Sequence, residues 1–359
     1  MKKISIRVFW LMSLPLWLAA CSAGDTRAPA VAAPVSIMTF NVENLFDNLH
    51  DAGKDDHTFW PLQDKQTEEH QAACASIGVE RWRRQCLDWD WSDAVVEQKL
   101  SVIAAAILQV NGGRGADIVA LQEVENLAIL ERLRNDYLAS EGYRPAILNE
   151  GQDDRGIDVA FLSKLALAAP ATLHRIEFAG EYAARAGDTR GILEATFVLP
   201  DGTPLTGYAV HFPAPFHPTE MRVAAYRRLN QLRSTLPPGR AAFAAGDFNT
   251  TAAEDREQAL LQRLVRPHWT VVHEQGCRDC RGTQYYAAGD SWSFLDMILW
   301  SPGADRGAQA TWNLRADSVR IANKSPGQVS GDGTPARFEV PGATGVSDHW
   351  PLVFEIEPK

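Results

Sequence analysis

The stretch that decides the reading is Ala244-Ala245-Gly246-Asp247-Phe248-Asn249-Thr250-Thr251. A small-residue run, residues 241–245, has the character of a buried strand and stops at a glycine. Asp247 and Asn249 follow at i and i+2, so in an extended chain their side chains leave on one face. At the end of a strand they would stand side by side on a sheet rim, where a rigid scaffold holds catalytic groups. A carboxylate beside a carboxamide can aim a water and hold a phosphate oxygen. Gly-Asp-x-Asn also makes ordinary Asx-turns. The stretch gains weight from four further polar clusters at strand ends.

Residues 35–40 read as the first strand, ending in Asn41-Val42-Glu43-Asn44, with Asn41 and Glu43 on one face. For Asn41 alone, a turn closing the strand is the simpler reading. Residues 47–91 have little apolar periodicity, and a loop of that length is usually functional or disordered. Trp60, Trp82, Trp89 and Trp91 and a pair of cysteines favour an ordered lid. Asp55-Asp56 could bind a cation, but a solvated loop face is the better reading. A helix capped by Ser92 or Asp93 carries Val95, Val96, Leu100, Ile103, Ile107 and Leu108, and Asn111-Gly112-Gly113 stops it. Residues 117–121 form a buried strand ending in Gln122-Glu123-Val124-Glu125-Asn126, and a second helix starts near Asn126. Glu123 is placed as a hard-cation ligand or as a carboxylate near a helix amino terminus.

Strands are expected over residues 144–148, 158–162, 174–178, 193–199 and 205–212, and helices over 218–236 and 253–264. Arg155 reads equally as a phosphate clamp or a surface arginine. His211 ends an apolar strand, where a lone histidine is usually structural. Asp296 lies inside the apolar strand 293–300, which is costly for a carboxylate without a partner. A Gly/Pro/Ser-rich loop, residues 323–345, delivers Ser347-Asp348-His349-Trp350-Pro351 to a closing strand, 352–356.

The amino terminus reads as an address. Residues 1–7 are basic and 8–20 apolar, too short for a span of about 20 residues and shaped like a secretory signal. Leu18-Ala19-Ala20-Cys21 resembles a bacterial lipobox, which implies lipidation of Cys21 after removal of residues 1–20; a plain cleaved signal is the alternative. Ser22 after it implies the outer membrane in a Gram-negative host. Residues 21–34 then form an Ala/Pro-rich tether, and residues 35–359 one domain carrying the 47–91 insert. The other four cysteines suit an oxidising compartment as local pairs, Cys74 with Cys86 and Cys277 with Cys280. A four-cysteine zinc site fits the eleven-residue spacing poorly. The net charge of −10 becomes −13 without Lys2, Lys3 and Arg7. That sign argues against a general basic surface for long nucleic acid and leaves room for a local basic groove.

Together the clusters supply carboxylates for one or two divalent cations, amides for a phosphate, and a histidine backed by an aspartate. Those are the parts of metal-assisted phosphate-ester hydrolysis. In order and spacing, Phe40-Asn41-Val42-Glu43-Asn44, Leu121-Gln122-Glu123-Val124, Gly246-Asp247-Phe248-Asn249, Phe294-Leu295-Asp296 and Ser347-Asp348-His349-Trp350-Pro351 resemble the endonuclease/exonuclease/phosphatase superfamily, over residues 35–357. The resemblance implies an α/β (α+β) fold of the deoxyribonuclease I type, a four-layer α/β/β/α sandwich of two packed mixed sheets. It implies that Glu123 binds the divalent cation, Mg²⁺ or else Mn²⁺ or Ca²⁺, with Asn41, Asp348 and Glu43 nearby. It implies that Asp247 activates water, that Asn249 (with Asn41 and Arg155) holds the phosphate, and that His349, oriented by Asp296, contacts the phosphoryl group. His211 matches a histidine of the deoxyribonuclease I, sphingomyelinase and inositol-phosphatase branches that the abasic-site endonuclease branch typically lacks.

The leading expectation is a metal-dependent phosphodiesterase on the bacterial envelope, anchored through Cys21, with extracellular nucleic acid as a candidate substrate and no obligate protein partner. A phosphomonoesterase or sphingomyelinase-like phospholipase is the nearest alternative, and a non-catalytic binding module comes last. A basic groove lined by Arg155, Arg222 and Arg337 points to a nuclease, and a narrow aromatic cleft to the alternative.

Overall fold

Alternating apolar residues build two sheets whose inner faces meet. In the computed structural model, residues 1, 32–303 and 309–359 are described. The signal segment and Cys21 lie outside the described residues, and the architecture below is that of Ala32–Lys359. Its strands are β1 (Val35–Leu45), β2 (Ile118–Val124), β3 (Ile147–Leu148), β4 (Asp158–Ser163), β5 (Thr172–His174), β6 (Ile192–Val198), β7 (Pro204–His211), β8 (Ala241–Asp247), β9 (Thr270–Val271), β10 (Gln284–Tyr286), β11 (Ser291–Ser293), β12 (Asp296–Ser301), β13 (Trp312–Ile321) and β14 (Leu352–Pro358). The main helices are α1 (Glu68–Ala75), α2 (Glu80–Asp88), α3 (Asp93–Leu108), α4 (Leu127–Leu133), α5 (Thr219–Thr235) and α6 (Ala252–Gln258).

One six-stranded sheet runs β13-β14-β1-β2-β4-β3 and the other β5-β6-β7-β8-β12-β9. Both are mixed, because β1 pairs with β2 and β7 with β8 in parallel while their other pairings are antiparallel. Residues of both sheets meet in a shared core that includes Ile37, Ile118, Phe161, Phe197, Phe243, Ile298 and Phe354. The outer face of the first sheet, with Phe40, Val119 and Leu121, packs on Leu100, Ile103 and Ile107 of α3 and Leu130 and Leu133 of α4. The outer face of the second, with Val210, Ala244 and Leu299, packs on Met221, Ala225 and Leu229 of α5. The result is the expected four layers.

Several boundaries differ from the sequence reading, each for a physical reason. Helix α6 stops at Gln258 because Ala259 turns left-handed (φ 51°), so helical backbone does not continue unbroken to residue 264. The strands expected at 144–148 and 174–178 are the short edge strands β3 and β5. Strand β13 is a ten-residue edge strand that the pattern did not announce. Its register shifts between Arg315 and Arg320 and its middle is exposed, which breaks the alternation. The 47–91 insert is ordered without an apolar stripe: the Cys74–Cys86 disulfide joins α1 to α2, and buried Lys65 donates to the carbonyls of Thr58 and Cys86. Cys277 and Cys280 form the second disulfide. Asp56 is not on a solvated face. It is 1% exposed and accepts from Trp60 Nε1 and Asp51 N while its Oδ1 meets His50 Nδ1. Arg222 lines no groove. It is buried against Glu254 and the carbonyls of Pro213, Ala214 and His217. No helix among the described residues is long and apolar enough to cross a membrane.

Gly246 fixes the approach of β8 to β7. A Cβ there would lie 1.9 Å from the carbonyl oxygen of Val210, so no side chain fits without moving a strand. Gly246→Ala is expected to cost about 2 kcal/mol or more, because the clash is with backbone. Urea unfolding of the two proteins measures it; an unchanged midpoint contradicts the packing described.

Candidate active site

The inner faces of both sheets turn polar at one rim. Ile37, Thr39 and Asn41 follow one another on the inner face of β1, as Phe243, Ala245 and Asp247 do on β8 and Leu205, Ala209 and His211 on β7. Strand β12 begins there with Asp296, which pairs in register with Asp247. Period-two geometry thus carries Asn41, Asp247, His211 and Asp296 to the same edge.

Glu123 reaches that edge by breaking the period. Val119 and Leu121 point to the helix layer, and regular alternation would send Glu123 after them. Instead Gln122 pairs with Val159 and Val124 with Asp158, so Glu123 is the extra residue of a β-bulge. Its φ of 66° is left-handed, as are those of Glu43 (53°), Asn44 (62°) and Asn249 (50°). Four such non-glycine residues at one rim match the clustering of backbone strain at functional sites. The turned Glu123 accepts from Asn41 Nδ2 at 3.4 Å and Asn44 N at 3.0 Å.

Asn41 Nδ2 also reaches Asp247 Oδ2 at 3.2 Å, so this amide links Glu123 on one sheet to Asp247 on the other. Asp247 Oδ1 accepts from Asn249 N at 2.8 Å, and Asn249 Nδ2 donates to the carbonyl of Phe212. His211 Nε2 lies 3.6 Å from Asp247 Oδ2, and His211 Nδ1 is buried without a partner. The Asp296 Oδ2–His349 Nδ1 bond is 2.6 Å long and buried. Asp247, Asp296 and His349 offer ligand atoms that all lie within 4.8 Å of one another.

Burial and the neighbouring Asp296 push the Asp247 pKa up to about 7. Burial opposes a charged His349, but Asp296, Asp348 and Asp247 outweigh it and hold the imidazole pKa well above its ordinary value. Burial, together with Arg190, Arg155 and His349, keeps His211 well below its own. Depth in the cleft pushes Glu123 up, but Arg155, Arg190 and His349 more than reverse that. The rim therefore holds a cationic and a neutral histidine, both close to Asp247.

Two cations here escaped the sequence reading. Arg190, 7% exposed, pairs with Asp153 at 3.1 Å and acts electrostatically on both Glu123 and Asp247. Lys99, buried on α3, donates to Val346 O and lies near Glu43, Asp348 and Glu123. A lone arginine before a glycine and a lysine inside a helix carry no motif; only the fold brings them in. Arg155 is exposed and donates to Asn44 Oδ1. Glu43 has both oxygens engaged, by Arg337 Nε and by the backbone N–H groups of Phe338 and Asp348. It stands as a latch on the 323–345 loop. Asp348 faces Arg337 at 3.4 Å and His349 Nε2 at 3.8 Å.

The donor set fits a divalent cation. Glu123 presents hard oxygen chemistry beside further carboxylates, and the Asn41 amide oxygen, which accepts from Glu43 N at 3.0 Å, keeps a second lone pair. Asp296 Oδ1 is buried without a hydrogen-bond partner.

Solved structures share the fold. Humanised D. rerio TDP2 superposes with a TM-score of 0.54 at 15% identity, over 90% of this chain and 99% of that one. An endonuclease/exonuclease/phosphatase from Bacteroides vulgatus gives 0.54 at 17% identity, over 91% and 100%. D. rerio TDP2 complexed with single strand DNA product gives 0.51 at 16% identity, over 90% and 99%. No curated protein sequence matches the chain. The sequence profile of the Endonuclease/Exonuclease/phosphatase family matches residues 38–349, from the middle of β1 to the histidine of the Asp296–His349 pair. By that match the chain belongs to the endonuclease/exonuclease/phosphatase family.

Proposed function

We propose that this chain is a divalent-metal-dependent phosphodiesterase of the bacterial envelope that cleaves nucleic acid outside the cytoplasm. Members of its family are phosphoester hydrolases that generally use divalent metals. The observation that carries the reading is the convergence of Asp247, Asp296 and His349 within 4.8 Å, tied through Asn41 to Glu123. Arg155, Arg190 and Arg337, which all act electrostatically on Glu123, favour a diester. A substrate that continues on both sides of the scissile phosphate can use cations placed around the rim, beyond those needed for one phosphoryl group.

Glu123 and Asn41, with Asp348 beside them, would hold the cation, Mg²⁺ by the chemistry of the set. When bound, it supplies Lewis-acid polarisation of a phosphoryl oxygen and charge neutralisation. The chain's own groups do the rest. Asp296 holds the His349 ring by Nδ1, which leaves Nε2–H to donate to a non-bridging phosphate oxygen. Asp247, fixed by Asn41 and the Asn249 N–H, is aimed to accept a proton from an attacking water. Asn249 retains an N–H for a second phosphate oxygen. Neutral His211 borders Asp247 and can bond the substrate without adding charge.

Three substrates separate the readings: supercoiled plasmid, bis-p-nitrophenyl phosphate and p-nitrophenyl phosphate, each with Mg²⁺ and with EDTA. Plasmid and diester cleavage abolished by EDTA and lowered about 10²–10⁴-fold in His349→Ala is the expected result. Cleavage of the monoester alone moves the assignment to a phosphatase, and activity unaffected by EDTA removes the metal from it.

Arg190 is expected to bind the phosphodiester. Arg190→Gln should lower kcat/KM on the diester about 10–100-fold, the value of one charge-assisted contact. A melting curve close to that of the unaltered protein separates this from misfolding. Unchanged kcat/KM makes Arg190 a structural partner of Asp153.

The envelope assignment rests on the lipobox-like Leu18-Ala19-Ala20-Cys21. Cys21→Ser is expected to move the protein from the membrane pellet to the soluble fraction. A protein found in the soluble fraction before the substitution argues for a plain cleaved signal.

A further inference from the structure

We propose that the base of the 47–91 insert forms a second cation site, separate from the catalytic rim, in which Glu125, Asp47 and Asp51 bind Ca²⁺. The site lies where three segments meet. Asp47 opens the insert just after β1, Asp51 lies four residues further on, and Glu125 follows the end of β2.

Glu125 is the observation that demands a ligand. It is 3% exposed, and while its Oε2 accepts from Asp47 N at 2.7 Å, its Oε1 is buried with no hydrogen-bond partner. A proton on Oε1 would be a donor with no acceptor, and a bare charge there would be buried among like charges. Neither state is comfortable alone.

The neighbours offer no cation. Among the described residues no lysine or arginine pairs with Asp47, Asp51 or Glu125; Lys54 is spent on the carbonyl of Asp153. What Asp47 and Asp51 share is a neutral amide: Asn126 Nδ2 lies 3.2 Å from Asp47 Oδ2 and 3.5 Å from Asp51 Oδ2. Asn126 cannot flip to relieve them, because its Oδ1 caps α4 by accepting from Ile129 N. Asp56 is committed to His50, Trp60 and Asp51 N and serves as a brace. Asp47 Oδ1 also accepts from Leu49 N at 2.7 Å, so the bonds the three carboxylates accept from the chain come from neutral N–H groups. An all-oxygen set carried on loop segments suits Ca²⁺, with its flexible, partly hydrated coordination, better than Mg²⁺, which demands a tight octahedron. An ion here would pin the insert where Asp55 N bonds Asp154 O, one residue from Arg155.

The test is thermal unfolding of the full chain after EDTA stripping, in constant excess Mg²⁺, with CaCl₂ titrated in. The readout is stability, so it does not depend on the proposed reaction. A rise in Tm of about 4 °C is expected at a hundredfold excess over Kd. Glu125→Gln and Asp51→Asn should each abolish the rise, and Glu123→Gln should keep it. Glu125→Gln removes the buried carboxyl with little change of shape, so its Ca²⁺-free Tm should stay close to or exceed that of the unaltered protein. No rise with Ca²⁺, a rise that survives Glu125→Gln, or one lost in Glu123→Gln overturns the proposal.

Discussion

The face-to-face packing of two sheets is the constraint on which the molecule depends. Phe161, Phe197 and Phe243 interlock between the sheets, and each inward-facing line of side chains must end where that core meets water. On β1, β7, β8 and β12 the lines end in Asn41, His211, Asp247 and Asp296. Rigidity comes from the apolar stretch of each strand and chemistry from the polar residue that ends its inward-facing line. These four groups therefore need no loop to position them: Asp296 and Asp247 are neighbours because β12 and β8 are in register. A one-residue slip of either strand would turn its carboxylate from the inner face to the helix side.

Period two is not sufficient, and the exceptions mark where function overrides regular structure. Glu123 belongs by parity to the helix face. A bulge and a left-handed φ bring it to Asn41 at a conformational cost of order 1–3 kcal/mol for such a residue. The same backbone sign at Glu43 and Asn44 makes β1 bulge between Asn41 and Leu45, presents Asn44 N to Glu123 and passes Glu43 to Arg337. The surrounding cores over-determine these conformations: Val124 and Leu45 are fully buried beyond the bulge and leave the backbone no room to relax.

This division explains what the sequence made legible. Residues whose role follows from strand parity, such as Asp247 and Asp296, stand out because a polar residue ends or interrupts an apolar run; Asn249, past the end of β8 and left-handed, is placed by the turn instead. The paired layers follow from the same alternation. Arg190 and Lys99 were invisible because their reach depends on tertiary placement: one follows a loop, the other sits among the apolar residues of α3. Strand β13 was hidden by its bulge and exposed middle, and the insert's two helices by a disulfide that replaces apolar burial. Asp56 looked solvated because a pair of aspartates on a loop usually is. Its burial is decided by Trp60 and His50, four and six residues away.

The order of the chain adds a last constraint. Asp348 and His349 come immediately before β14, and β14 lies between β13 and β1. His349 can reach Asp296 on the opposite sheet only once the final strand has docked beside the first. The dock is reinforced at the rim itself: Ser347 Oγ donates to Asn41 O, and Glu43 takes the N–H groups of Phe338 and Asp348. Asn41 and Glu43 thus serve the closing of the sheet as well as the site. Burying the Glu43 carboxylate, with its pKa pushed up to about 7 by its surroundings, is costly in isolation. Arg337 and Lys99 offset that cost only in the closed arrangement, so the charges that complete the site also report that both ends of the chain are in place.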